Sequence, residues 1–227
     1  MATRQPMVTG EWYHCYNRGV DKRIVFQSKH DYERFQALMY VCNGTTSNPV
    51  SDHRDTSLLG ILNNEHIKRG KPLVQIGAYA LMPNHAHFIF KEIREGGIAS
   101  YMRKLFTGYT MYFNIKRKRT GALFAGSFKS KHIDRDEYFK HVLAYVLLNP
   151  AEINEPQWKK GAADVQRIEK KLLSYPYSST SDFFGLARAE KKIVEFSTDE
   201  FYDRMPTLSS LLKDARAYYA EVADVGR

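Results

Sequence analysis

Apolar and polar positions change period several times along the chain, and each change marks an element. Residues 11–16, EWYHCY, alternate and are rich in aromatics, which predicts a first strand closed by a turn at Asn17-Arg18-Gly19. HDYERFQALMYVC then sets Tyr32, Phe35, Leu38, Met39 and Cys42 at helical spacing behind Ser28, with Asp31 three residues on as a capping box. Residues 43–72 are rich in Asn, Ser, Thr, Gly and charge and read as a long loop with one helical turn around LLGILNNEHIK. LVQIGAYALM, residues 73–82, is a strong strand; Pro83-Asn84 turns the chain, and HAHFIFK runs back beside it.

From Ile98 to Asn114 the apolar residues Ile98, Met102, Leu105, Tyr109, Tyr112 and Phe113 fit a helix that ends in the basic run KRKR. GALFAGSFKSKHI is a loop leading into a strand. Asp134 is the expected cap of a helix, DRDEYFKHVLAYVLLN, stopped by Pro150. The order strand, helix, strand, strand, helix, strand, helix predicts an α+β chain, and its first six elements match the ferredoxin-like, split βαβ arrangement with helices on an antiparallel sheet. Beyond Pro150 the expected features are a helix near 162–173, the stretch YPYSSTSDFFG and a helix over 207–222. The expected division is a main domain over 1–187 and a partly helical extension over 188–227.

Composition narrows the class. At 227 residues the chain is long enough for one full core, and 43% hydrophobic residues with 15 Tyr and 13 Phe argue against disorder. The net charge of +9 points to an anionic partner such as nucleic acid. Cys15 and Cys42 have neither metal-ligand nor redox spacing, which fits a reducing compartment. MATRQPMVTGEW lacks the apolar stretch of a signal peptide, and no run is long enough to span a membrane, so the expectation is a soluble cytoplasmic protein.

The candidate chemistry lies in MPNHAHFIF, residues 82–90. On a strand His85, His87 and Ile89 point one way while Ala86, Phe88 and Phe90 point the other, so two imidazoles can converge on one ion. A pair of ordinary strand-end histidines is the plain alternative. In the helix before Pro150, His141, Tyr145 and Asn149 stack at i, i+4 and i+8, a stripe unsuited to a core. Tyr138, Val142 and Val146 supply the apolar face instead. Two ring nitrogens and an amide oxygen leave metal positions open for a phosphate oxygen, and a nearby tyrosine hydroxyl can attack a phosphodiester so neutralised. His141 is a candidate for orienting the tyrosine or contacting phosphate, or is a surface histidine. His14, His30, His53, His66 and His132 show no spacing that demands a role.

MPNHAHFIF, the turn YNRG, GALFAGSFKS, AYVLLNPAEI and SYPYSS occur in an order that resembles the REP-associated tyrosine transposases, over about residues 10–186. These are relatives of the single-tyrosine insertion-sequence transposases and belong to the HUH nucleases, named for the His-hydrophobic-His that is His85-Ala86-His87 here. The resemblance implies that Tyr145 is the nucleophile, forming a covalent 5′-phosphotyrosine with single-stranded DNA, that Asn149 is a third metal ligand beside His85 and His87, and that the metal is magnesium or manganese. It also implies a palindromic hairpin with a short flank as substrate, and a protein that acts as a monomer or a homodimer. Asn17 and Arg18 lie where the family reads the flank. Two features depart from the pattern: Phe124-Ala125-Gly126-Ser127 stands where the family has Trp-x-x-Arg, and the 43–72 loop is long.

Between Glu95 and Asp134 no acidic residue occurs, while Arg103, Lys104, Lys116, Arg117, Lys118, Arg119, Lys129 and Lys131 are interleaved with Tyr101, Phe106, Tyr109, Tyr112, Phe124 and Phe128. Cations for phosphates and aromatics for unstacked bases are the components of single-strand binding, so these cations are the expected DNA contacts. The rivals to a transposase are a hairpin-binding regulator of the same fold that no longer cleaves, and a metal phosphoesterase whose nucleophile is water.

Overall fold

In the computed structural model, which describes residues 6–160, 164–196 and 201–225 (218–225 by backbone alone), the elements follow in the order β1 (Trp12–Arg18), α1 (Lys29–Cys42), α2 (Leu58–Leu62), β2 (Gln75–Met82), β3 (His85–Lys91), α3 (Gly97–Lys116), β4 (Lys129–Ile133), α4 (Asp136–Leu148), α5 (Ala151–Asn154), α6 (Val165–Leu173), α7 (Thr180–Phe183) and α8 (Leu208–Val225). The strands form one antiparallel sheet in the order β2-β3-β1-β4, the arrangement of a split βαβ fold. Residues 162–163 of the expected helix at 162–173, and 197–200 and 226–227 of the expected extension, lie outside the described residues.

Alternation along the strands divides the core in two. One face carries Tyr13, Cys15, Ile76, Tyr79, Leu81, Ala86, Phe88 and Phe90 and is covered by α1 and α3 through Phe35, Leu38, Met39, Tyr101, Leu105 and Tyr109. The other carries Trp12, Ala78, Ala80, Ile89 and Ile133 and is covered by α4 through Phe139, Val142, Leu143, Val146 and Leu147. Each fully buried side chain of this size contributes roughly 1.5–3 kcal/mol, so a one-residue slip of β3 would be prohibitive. A third cluster, Leu148, Ala151, Trp158, Ile168, Leu172, Leu208, Leu211 and Leu212, packs α5, α6 and α8 onto the end of α4.

Several boundaries differ from the sequence expectations for identifiable reasons. Asn17 and Arg18 do not form a turn: they continue the ladder opposite Ala86 and His85, and the chain turns only at Gly19, where an added Cβ would lie 2.3 Å from the Arg23 carbonyl oxygen. Ser28 is the N-cap of α1, but its hydroxyl caps nothing and Asp31 reaches past it to accept from the Gln27 amide at 2.9 Å. The N-cap of α4 is Arg135 rather than Asp134. Pro150 ends α4 without deflecting Asn149, which keeps helical angles (φ −53°, ψ −40°) because Pro150 itself opens α5, where a missing N–H costs nothing.

The 43–72 segment is packed down rather than loose. Val50, Leu58, Ile61, Leu62 and Ile67 are buried, the Asn43 side chain bonds the backbone of Leu73 and Val74, and Lys104 Nζ donates to the Gly44 carbonyl at 2.7 Å. At the outer edge of β2, Leu81 donates to the Tyr177 carbonyl and Ser179 to that of Tyr79, so YPYSS covers an edge that would otherwise be open. Arg188 holds this segment by pairing with Asp182 and bonding the Pro176 carbonyl. No helix among the described residues is long and apolar enough to cross a membrane.

Candidate active site

Directly paired strand residues share a sheet face, and three rungs of the sheet therefore line up beneath α4. Arg18 pairs with His85, Tyr16 with both His87 and Lys129, and His14 with both Ile89 and Lys131. The α4 face of the sheet thus carries three imidazoles, a tyrosine and three cations. Arg18, Lys129 and Lys131 are exposed at its margin, whereas His87 is 7% exposed.

Helix α4 brings Tyr145 over this face, with its hydroxyl 3.4 Å from His87 Nε2 and the two rings edge-on at 5.2 Å. On the other side of the same imidazole, His87 Nδ1 lies 3.0 Å from His14 Nε2, and those two rings stack at 5.2 Å. His85 stands edge-on to His87 at 4.9 Å, and its Nδ1 meets Asn84 Oδ1 at 2.6 Å, which ties it to the β2–β3 turn. Asn149, one helical turn beyond Tyr145, is 3% exposed, and its Oδ1 has no hydrogen-bond partner among the described residues.

Burial, followed by the neighbouring positive groups, keeps all three imidazoles neutral at ordinary pH. It lowers His87 to about 2, helped by His14, His85 and Arg18. His85 falls to about 4 through burial and then Arg18, with Glu152 opposing, and His14 to about 4 through burial and then Lys131. Neutral imidazoles keep a lone pair for a metal or a hydroxyl proton. Among the described residues no three His, Cys, Asp or Glu side chains are grouped to hold a metal ion. Two histidines with the orphaned amide oxygen of Asn149 make up the donor types for a divalent cation that retains open positions.

The site opens into a cleft of about 440 Å³ between α4 and α8, with His14, Tyr145 and Asn149 in its wall along with Lys131, Tyr138 and Tyr202. His141 is exposed on the same wall. Lys131 Nζ lies 4.6 Å from the Tyr138 ring centroid, and Lys159 Nζ 5.8 Å from that of Tyr145.

The remaining expected residues lie elsewhere. Asn17 sits on the opposite sheet face, 6% exposed, where its side chain donates to the Gly126 carbonyl and accepts from the Arg18 amide. The basic run belongs to α3, beyond the sheet from Tyr145. Lys116 and Arg117 pair there with the wholly buried Asp31 at 2.6 and 3.2 Å, and Arg119 bonds Asn114 and the Ala122 carbonyl. Arg103 and Lys118 are exposed on α3 and at its end, and Lys104 is engaged with Gly44. Phe124 is buried against Phe106, so the Phe124–Ser127 stretch serves the core and the end of β1. His14 and Tyr16 also stand on the α4 face of the sheet, where the sequence reading singled out neither. Their alternation with Trp12 and Arg18 in WYHCYNR was visible, but the pairing of that strand with β3 was not.

No protein-family model matches this sequence, and no curated protein matches it. A solved structure of a REP-associated tyrosine transposase bound to a REP hairpin does match, with a TM-score of 0.52 and 15% sequence identity over 91% of this chain and 99% of that one. The chain shares the α+β fold of that transposase over nearly its whole length.

Proposed function

We propose that this protein is a single-tyrosine transposase of the HUH type that cleaves and rejoins single-stranded DNA beside hairpins through Tyr145. The observation that carries this reading is the placement of the Tyr145 hydroxyl 3.4 Å from His87 Nε2, with the orphaned Asn149 amide oxygen one turn away. The neighbour of the same fold, solved with a REP hairpin bound, gives the reading its substrate class.

In cleavage the Tyr145 oxygen bonds to phosphorus and the bond from phosphorus to the 3′ oxygen breaks. The product is a 5′-phosphotyrosine and a strand ending in a 3′-hydroxyl; the tyrosine releases its proton and the departing oxygen takes one up. Rejoining is the reverse, with a 3′-hydroxyl attacking the phosphotyrosine. A magnesium or manganese ion held by His85, His87 and Asn149 would neutralise the phosphodiester and polarise it toward attack. Arg18, Lys129 and Lys131, at the rim of the same sheet face, hold the strand by its phosphates. His141, on the cleft wall one turn before Tyr145, meets the phosphate that enters there.

A hairpin-binding regulator has no use for a neutral imidazole against a tyrosine hydroxyl, and a water-using phosphoesterase has no use for that hydroxyl. Covalent capture separates the transposase from both rivals: labelled single strands carrying a hairpin, incubated with manganese and denatured, leave the label on wild type but not on Tyr145→Phe, whereas cut strands without protein-bound label mark the phosphoesterase and uncut strands the regulator.

A further inference from the structure

Of the three imidazoles on the α4 face of the sheet, His14 alone has no place in the proposed ligand set, yet its side chain lies closer to the His87 ring than the Tyr145 hydroxyl does. Its Nε2 lies 3.0 Å from His87 Nδ1. The pairing follows from sheet register: His14 stands opposite Ile89, so it is the diagonal neighbour of His87 on the same face, a separation that long and aromatic side chains bridge. Its ring is confined by Tyr16 at 5.3 Å, by His87 at 5.2 Å and by the edge of Tyr145 at 5.7 Å.

A neutral imidazole carries one ring proton, and the two nitrogens of His87 face different partners. Nε2 faces the Tyr145 hydroxyl at 3.4 Å, where a lone pair is needed to accept a proton or bind a cation. The proton must then sit on Nδ1, and that N–H needs an acceptor. We propose that His14 is a positioning residue whose Nε2 accepts the His87 Nδ1 proton, fixing the tautomer and ring orientation that leave the His87 Nε2 lone pair bare on the Tyr145 side, where it faces the hydroxyl in the metal-free protein and is available to the divalent cation when one binds. The naming of the cation and the nucleophile rests on the function proposed above. The role of His14 rests on the contact itself. Partners that hold the remote N–H of a ligating histidine raise its basicity, and removing one typically weakens metal binding about 10–100-fold.

Two measurements without DNA test this. In the metal-free wild type, nitrogen-15 NMR of the histidine rings reads the His87 tautomer directly: the proton is expected on Nδ1 with Nε2 bare. A proton on Nε2 would mean that His14 is the donor and overturns the assignment. Manganese binding, followed by electron paramagnetic resonance with the metal alone, is expected to weaken about 10–100-fold in His14→Phe, which keeps a ring in the stack and removes the acceptor. His14→Gln, whose amide oxygen can accept, is expected to recover most of that affinity. Wild-type manganese affinity in His14→Phe overturns the proposal, as does equal weakening in both variants, which marks a packing role only. A wild-type protein with the expected tautomer and metal response that cleaves no strand supports the role of His14 and contradicts the function proposed above.

Discussion

Lys116 Nζ lies 2.6 Å from Oδ1 of Asp31, and the Asp31 side chain is wholly buried. Arg117 Nη2 reaches the other carboxylate oxygen at 3.2 Å, and the Tyr112 hydroxyl donates to Oδ1. Two cations of the basic run thus join the end of α3 to the start of α1.

Replacing both Lys116 and Arg117 with Ala leaves a buried carboxylate with two of its partners gone, and should destabilise the fold by about 1–3 kcal/mol in urea denaturation. Burial raises the Asp31 pKa, but the Lys116 bond, the Gln27 amide and Tyr112 outweigh it and hold the carboxyl below its ordinary value. A depressed folded pKa means that the contribution is complete above the ordinary carboxylate range and is lost as pH falls through the folded value. The stability gap between wild type and the double variant should therefore be full at neutral pH and close on acidification. A gap that persists unchanged at low pH would remove Asp31 as its source.

DNA affinity should follow the cations of the α4 face of the sheet. Changing Arg18, Lys129 and Lys131 to Ala should weaken hairpin binding for every sequence and reduce the salt slope by close to one for each phosphate no longer neutralised. Arg103→Ala and Lys118→Ala, beyond the sheet from Tyr145, should leave that slope unchanged. Salt titrations of the two sets decide it, and a full slope in the triple variant would place the strand elsewhere.

Asn149 is the residue whose replacement should separate stability from metal binding. Its buried Oδ1 bonds to nothing among the described residues, so Asn149→Leu, similar in volume and apolar, should melt within about 1 kcal/mol of wild type or above it. The same variant should lose manganese affinity and cleavage, as should His85→Ala and His87→Ala. A large drop in stability with manganese binding intact would make Asn149 a structural amide.

How much of this was legible in the sequence depended on the range of the contact. His85 and His87 are two residues apart, and Tyr145 and Asn149 four, so alternation and helical pitch placed each pair on one face. His14 could not be placed because its partner is 73 residues away and the link is the β3-β1 pairing, which no local period encodes. For the same reason the ion pairing inside the basic run was not legible: the carboxylate that engages Lys116 and Arg117 lies on another helix, 85 residues upstream of Lys116. The 43–72 stretch read as a loop by composition; Leu58, Ile61 and Leu62 keep the i, i+3, i+4 spacing of the one helical turn expected there, whereas Val50 and Ile67 reach the core singly, with no period to announce them.

Whether the Tyr145 oxygen is the nucleophile is read from the denaturant-resistant protein–DNA adduct, assayed in Tyr145→Phe beside wild type. The substitution keeps the ring and its contacts with His14 and His87 and removes only the hydroxyl. With manganese and a labelled hairpin strand, wild type, Tyr138→Phe and Tyr112→Phe should carry the label after denaturation, and Tyr145→Phe should carry none while still binding the hairpin. Cleavage by Tyr145→Phe at the wild-type rate would contradict the account and make water the nucleophile.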